Sequence, residues 1–144
     1  MKKLVFWSVI ITITGFSMLI SCNPGQNKKA EEPEIINTND QIKVLYFHFT
    51  RRCATCNAVE KETEKALADL YPNHIESGKI SFESVNLDLK AGKQSGEKYG
   101  INSQTLVVIG GQNKMDITTD GFMYALTKPD KLKETIKQTI EPIL

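Results

Sequence analysis

The chain has 144 residues, which leaves room for one domain and little else. Its 18 lysines and arginines nearly balance its 17 aspartates and glutamates, so no basic excess points to nucleic acid and no acidic tail is present. The three cysteines stand at positions 22, 53 and 56, which is too few and too uneven for a disulfide framework.

Residues 1–21 have the pattern of an export signal. Two lysines precede an apolar run from Leu4 to Ile20, and the small residue Ser21 stands directly before Cys22. Leu19-Ile20-Ser21-Cys22 resembles the lipobox of bacterial lipoproteins, a family in which the cysteine is acylated and becomes the new N-terminus. The resemblance implies a lipidated Cys22 and a chain anchored to a bacterial membrane, in the cell envelope, facing the periplasm or the exterior. The alternative is an uncleaved membrane helix, whose apolar run would be at the short end of the roughly 17–25 residues needed to span.

Residues 22–40 predict a flexible tether. The stretch is polar and charged, contains two prolines and has almost no apolar content. Such a composition cannot bury enough surface to fold, so we expect it to hold the domain off the membrane.

Residues 41–144 predict one folded domain. The apolar, β-branched and aromatic run at 42–49 is typical of a strand buried on both faces. A helix follows from about Cys53 to Leu70 and ends at Pro72, because proline cannot continue a helix. Residues 79–87 alternate polar and apolar side chains, which indicates a half-buried strand.

The second half of the domain contains shorter elements. We expect a glycine-interrupted helix at 88–99, a buried strand at 105–109, a hairpin turn at 110–113 and an edge strand at 115–118. A last helix begins near Thr127, where Thr127 and Asp130 fit a capping pattern, and its buried stripe is Leu132, Ile136 and Ile140. The predicted order, βαβαββα, is that of an α/β mixed sheet with helices on both faces.

Cys53 and Cys56 are the candidate reactive pair. Two cysteines three positions apart at the start of a helix lie on one face and can form a disulfide. The helix N-terminus favours a thiolate at Cys53, and Arg51 and Arg52 add positive charge in the same turn. Cys56, one turn on, should be more buried and act as the resolving thiol. An inert disulfide and half of a metal site are the alternatives, although structural zinc needs four ligands and only His48 and His74 remain.

The chain resembles the thioredoxin-like superfamily over about residues 42–141. The residues that carry the resemblance are the strand and turn from Val44 to Cys56, Val85-Asn86-Leu87-Asp88, Lys98-Tyr99-Gly100-Ile101 and Thr105-Leu106-Val107-Val108. It implies the family's fold and dithiol chemistry, with Cys53 as nucleophile and Cys56 as resolving residue. The chain departs from the family pattern at four places. Ala54-Thr55 stands between the cysteines in place of Gly-Pro, and Arg52 replaces a tryptophan. Gln104 replaces the cis-proline of the substrate-docking loop, and Phe47 stands where many members have a buried carboxylate.

Together these patterns predict a membrane-tethered thiol–disulfide oxidoreductase that acts on envelope protein thiols or disulfides. The alternative is a binding module of the same fold that holds a soft metal ion or a protein partner without turnover. His48 is either a proton relay or a hydrogen-bonded core histidine. Arg51 and Arg52 tune Cys53 or dock a partner, and Gln104 faces the substrate. We expect a monomer that binds no cofactor, no resident metal and no nucleic acid.

Overall fold

The computed structural model describes residues 40–144, so the predicted signal, Cys22 and the tether up to residue 39 lie outside the described residues. The described part contains four strands, five α-helices and a short 3₁₀ helix. In chain order they are β1 (Ile42–His48), α1 (Ala54–Leu70), α2 (Pro72–Glu76), β2 (Ile80–Asn86), α3 (Lys90–Tyr99), β3 (Thr105–Gly110), β4 (Asn113–Asp116), α4 (Thr118–Tyr124), α5 (Pro129–Ile140) and the 3₁₀ helix Glu141–Ile143.

The four strands form one mixed sheet in the order β2-β1-β3-β4. Strands β1 and β2 are parallel, with Phe47 opposite Val85, and α1 and α2 make the crossover that a parallel pair requires. Strands β3 and β4 continue the sheet in antiparallel pairing, with Thr105 opposite Phe47 and Met115 opposite Val108. The mixed sheet with helices on both faces confirms the predicted α/β, thioredoxin-like fold class.

Apolar side chains cover both faces of β1, as predicted. On one face Val44 and Tyr46 pack with residues of α1, α4 and α5, among them the predicted stripe Leu132, Ile136 and Ile140. On the other face Leu45 and Phe47 pack with Val85, Leu87 and Val107, and Tyr99 at the end of α3 covers them. Each face therefore has its own core, and β1 is the strand common to both.

Two short helices, α2 and α4, were not predicted. Pro72 ends α1, but proline also fits the first turn of a helix, so α2 begins at that residue. Helix α4 follows the edge strand directly, and its first residue is fixed by a hydrogen bond from the Thr118 backbone N–H to the Asp116 carboxylate, at 2.8 Å. The predicted element order therefore lacks one helix after α1 and one after β4.

The positions of the hairpin and of the last helix also differ from the prediction. Gly110 pairs with Asn113 in the sheet, so the turn contains only Gly111 and Gln112, and β4 starts two residues earlier than expected. Helix α5 begins at Pro129, and no side chain caps it. The predicted capping role of Thr127 is wrong, since its hydroxyl donates instead to the carbonyl of Met123 at 3.5 Å. Among residues 40–144, no helix is long and apolar enough to cross a membrane.

Candidate functional site

Cys53 is the N-cap of α1, which begins at the next residue, Ala54. The sequence predicted that this helix would start at about Cys53. Its backbone is extended, with φ −83° and ψ 173°, and its sulfur accepts a hydrogen bond from the Cys56 backbone N–H at 3.3 Å. The Cys53 carbonyl already accepts the first helical bond, from Asn57 N–H at 3.1 Å. The Cys53 thiol thus satisfies an N–H group that helix geometry leaves without a partner.

The two thiols of the predicted pair contact each other. Their sulfur atoms are 2.6 Å apart, and neither cysteine is in a disulfide. Cys53 is exposed to solvent, whereas only 4% of Cys56 is exposed. An accessible thiol therefore lies directly against a buried one that can reach it.

Hydrogen bonding lowers the pKa of Cys53. The side chain of Cys56 is the largest cause, and the Cys56 backbone N–H is the next. Both stabilise the negatively charged sulfur, because a donor to a thiolate favours the ionised form. The site thus favours a thiolate on the exposed cysteine.

The two arginines before Cys53 have different surroundings. Arg52 forms an ion pair with Glu60 of α1, and Arg51 is exposed in the bend that precedes the helix. Cys56 and backbone N–H groups, rather than either arginine, account for the lowered pKa of Cys53. Arg52 instead affects the pKa of the Tyr46 hydroxyl. Burial raises that pKa, and the positive charge of Arg52 partly offsets the rise.

His48 lies at the end of β1 and is 7% exposed. Its Nδ1 lies 2.9 Å from the Phe49 carbonyl, to which it can only donate, and its ring stacks at an angle on Tyr46 with 5.7 Å between the centroids. No hydrogen bond joins it to Cys53 or Cys56. This geometry is that of a hydrogen-bonded core histidine, the second of the two readings that the sequence left open.

Gln104 is brought against the buried thiol. Its amide nitrogen lies 3.7 Å from the Cys56 sulfur, within the range of a weak hydrogen bond to sulfur, and its amide oxygen lies 4.0 Å from the same atom. The loop before β3 therefore faces the dithiol, as the resemblance implied, but the Gln104 side chain contacts Cys56 rather than Cys53.

Polar residues at the end of β2 and just after it hold the loop that leads into Cys53. The Thr50 backbone N–H donates to the Asp88 carboxylate at 2.7 Å, and the Asn86 amide donates to the Thr50 hydroxyl at 3.0 Å. The Asn86 oxygen in turn accepts from the Asp88 N–H at 2.9 Å. The bond from Thr50 lowers the pKa of Asp88. Sequence reasoning missed this cluster, because the order of the elements does not give the register of β1 against β2, in which His48 lies opposite Asn86.

Tyr46 was also missed as a site residue. Its side chain is fully buried, on the face of β1 that packs against α1. Burial raises the pKa of its hydroxyl above the ordinary range, and the nearby thiols of Cys56 and Cys53 raise it further. In the sequence Tyr46 was one apolar position of a buried strand, and nothing in the pattern distinguished it from its neighbours.

Comparisons with known proteins give structural neighbours only. No protein-family model and no curated protein sequence matches the chain. Thioredoxin O2 from Arabidopsis thaliana, in its oxidized state, is 19% identical with a TM-score of 0.49, over 69% of this chain and 75% of that one. Fasciola hepatica thioredoxin is 22% identical with a TM-score of 0.46, over 69% of this chain and 82% of that one. Chlamydomonas reinhardtii thioredoxin f2 is 25% identical with a TM-score of 0.46, over 71% and 82%. Because these scores and identities are low, the fold assignment rests on the sheet topology.

Proposed function

We propose that this protein is a thiol–disulfide oxidoreductase in which Cys53 is the nucleophile and Cys56 the resolving thiol. One observation carries the proposal: an exposed N-cap thiol with a lowered pKa contacts a buried second thiol at 2.6 Å. A thiolate is the attacking species in disulfide exchange, and a thiol within reach is needed to release the mixed disulfide.

The reaction has two steps. The Cys53 thiolate attacks one sulfur of a substrate disulfide, so a Cys53–substrate bond forms and the other substrate sulfur leaves as a thiolate. Cys56 then loses its proton and attacks the Cys53 sulfur, which forms the Cys53–Cys56 bond and expels the second substrate thiolate. Two electrons pass from the cysteine pair to the substrate. The two released thiolates take up two protons, one from Cys56 and one from solvent, which already holds the proton that Cys53 lost on ionising. The reverse sequence oxidises a substrate dithiol.

Serine substitutions test this assignment. Cys53→Ser should abolish the reduction of a small disulfide such as oxidised glutathione. Cys56→Ser should stop after one step and accumulate a mixed disulfide on Cys53, visible as an added mass. Cys22→Ser is the control and should retain turnover. Turnover by Cys53→Ser would contradict the proposal, and so would a native chain that does not reduce oxidised glutathione.

The alternative is a binding module that holds a soft metal ion through the same two thiols. Within residues 40–144, no group of three or more histidine, cysteine, aspartate or glutamate side chains is placed to hold a metal ion, so Cys53 and Cys56 would be the two ligands.

We further propose that the domain is tethered to a bacterial membrane through an acylated Cys22 and acts on thiols or disulfides of envelope proteins. The support is the sequence Leu19-Ile20-Ser21-Cys22 behind a charged start and an apolar run. Cys22→Ala should move the protein out of the membrane fraction or stall its processing. An intact mass showing an unmodified Cys22 with Met1 still attached would refute the tether.

A further inference from the structure

Gln104 lies directly before β3, at the end of the sheet where the two cysteines lie. The next residue, Thr105, pairs with Phe47 of β1, and its hydroxyl donates to the carbonyl of Ser103 at 3.1 Å. Strands β1 and β3 are antiparallel, so the start of β3 lies beside the end of β1, from which a short loop leads to Cys53. The sheet therefore fixes the backbone that presents the Gln104 side chain to the cysteines.

The Gln104 amide reaches the buried sulfur with both of its polar atoms. Its nitrogen lies 3.7 Å from the Cys56 sulfur, and its oxygen lies 4.0 Å from the same atom. Gln104 is half-buried and only 4% of Cys56 is exposed, so water has little access to the sulfur. A side-chain amide donates through its nitrogen and accepts through its oxygen. Gln104 can therefore be a hydrogen-bond partner of Cys56 both as a thiol and as a thiolate.

The Cys53 sulfur is a second partner of Cys56, and the reaction changes its charge. In the reduced pair the sulfur atoms are 2.6 Å apart, and the Cys56 thiol can donate to a Cys53 thiolate. In the mixed disulfide Cys53 is bonded to the substrate and carries no negative charge. Cys56 must then ionise itself, and burial disfavours a charged sulfur unless a donor compensates. The amide nitrogen of Gln104 is such a donor, already within reach.

We propose that the Gln104 amide donates a hydrogen bond to the Cys56 thiolate and stabilises it for the attack on Cys53. A hydrogen bond to an ionised group is stronger than one between neutral groups, so the contact strengthens at the step that needs it. The inference rests on the proposed function, since it gives Gln104 a part in the second half of that reaction. Gln104 is a positioning residue, because it acts through Cys56.

The step balances without any proton or electron leaving Gln104. In the mixed disulfide Cys56 gives its proton to the substrate thiolate released first. The Cys56 thiolate attacks the Cys53 sulfur, so the Cys53–Cys56 bond forms and the Cys53–substrate bond breaks. The electron pair leaves with the second substrate sulfur, which takes a proton from solvent. Because the amide changes only the free energy of the charged sulfur, its effect is confined to pH values at which Cys56 is mostly protonated.

The first test follows the ionisation of Cys56. Full-length chains carry Cys22→Ser and Cys53→Ser, so carbon-13-labelled cysteine reports Cys56 alone through its Cβ chemical shift as a function of pH. Gln104→Met keeps the length of the side chain and removes the amide. Gln104→Glu keeps the shape and replaces the donor with a carboxylate. Gln94→Glu, at an exposed position of α3, is the matched control for the added charge.

We expect Gln104→Met to lower the acid dissociation constant of Cys56 about tenfold, which raises the midpoint of the titration by about one pH unit. Gln104→Glu should raise the midpoint further, because its carboxylate repels a neighbouring thiolate. Gln94→Glu should leave the midpoint unchanged. Thermal unfolding of each variant shows that it is folded.

The second test separates the two steps of exchange in chains that keep both cysteines of the pair and carry Cys22→Ser. Dithiobis(nitrobenzoate), an aromatic disulfide, releases one coloured thiolate when Cys53 attacks it and another when Cys56 resolves the mixed disulfide. Gln104→Met should slow the second release about tenfold below the titration midpoint and leave it unchanged well above the midpoint, while the first release keeps its rate. A residue that only shapes the loop would slow the second release at every pH.

The outcomes separate this inference from the proposed function. A titration midpoint that Gln104→Met leaves unchanged or lowers overturns the role of Gln104, even if the native chain catalyses exchange. So does a rise in Gln94→Glu equal to that in Gln104→Glu, or a second release that Gln104→Met slows at every pH. A native chain that makes no second release overturns the proposed function, yet the titration still decides whether Gln104 donates to Cys56.

Discussion

Cys53 and Cys56 share one helical turn but differ in the properties that govern thiol reactivity. Cys53 is exposed, and its sulfur contacts the Cys56 side chain and accepts from the Cys56 backbone N–H. Cys56 is buried, and its sulfur contacts Cys53 and Gln104. The two thiols should therefore react with solvent reagents in a fixed order.

We predict that limited alkylation of the reduced chain at about pH 6, below the ordinary cysteine pKa of about 8.5, labels Cys53 well ahead of Cys56. The sign follows from the lowered pKa of Cys53, since a lower pKa leaves more thiolate at a given acidic pH. Peptide mass spectrometry measures the two rates separately. In urea both cysteines should react equally. Equal and slow labelling of the folded chain would show that Cys53 is not activated.

The carboxylate of Asp88 should make the stability of the domain depend on pH. Its folded pKa is lowered by the Thr50 hydrogen bond, so its contribution to stability is present above the unfolded aspartate pKa of about 3.9 and is lost as pH falls through the folded value. Asp88→Asn should therefore be less stable than the native chain at neutral pH, with the difference shrinking below about pH 4. Urea unfolding at several pH values measures it. A difference that stays constant across that range would exclude the charge as its source.

Helix α3 shows how a local preference can mislead about packing. Its glycines suggested a weak, interrupted helix, because glycine lowers helix propensity. In the structure Gly92 and Gly96 are buried, and a Cβ at Gly92 would overlap the carbonyl oxygen of Asn86 at the end of β2. These glycines allow the helix backbone to approach the strand and the following loop closely. Gly100, with φ +66°, then ends the helix in the left-handed conformation.

We predict that Gly92→Ala destabilises the domain by about 1–3 kcal/mol, because the methyl group meets backbone that cannot move aside easily. Helix propensity alone predicts the opposite sign, a gain of up to about 1 kcal/mol. Gln94→Ala, at an exposed position of the same helix, is the control and should change stability by no more than about 0.5 kcal/mol. Urea denaturation decides between the two signs. A Gly92→Ala chain as stable as the native one would contradict the close packing.

At the scale of elements, the spacing of apolar residues correctly predicted the elements that pack their apolar side chains into the two cores of the sheet. The mostly apolar strand β1, the buried stripe of α5 and the helix after Cys53 all have the positions expected. The predictions that failed concern the ends of elements, where the conformation of a single residue or one side-chain hydrogen bond decides the boundary. Pro72 ends one helix and starts another, Gly110 extends a strand into the expected turn, and Thr127 bonds to the preceding turn instead of capping α5.

At the scale of the whole molecule, the candidate site combines residues from separate parts of the chain. Cys53 and Cys56 could be found in sequence, because a single helical turn fixes their separation. Gln104 was found through the resemblance, although not its contact with Cys56. The Asp88 cluster could not be found, since it depends on the register of β1 against β2, which the order of the elements does not give. The position of Tyr46 could not be found either, since it depends on which face of β1 packs against α1.

The reduction potential of the Cys53–Cys56 couple tests the central claim most directly. The full chain is equilibrated with mixtures of reduced and oxidised glutathione, and alkylation with peptide mass spectrometry reports this pair separately from Cys22. Catalytic pairs lie above the range of structural disulfides, so we predict a potential higher than about −300 mV. A potential below about −300 mV, with no exchange on the timescale of the experiment, would contradict the account and identify the pair as a static disulfide.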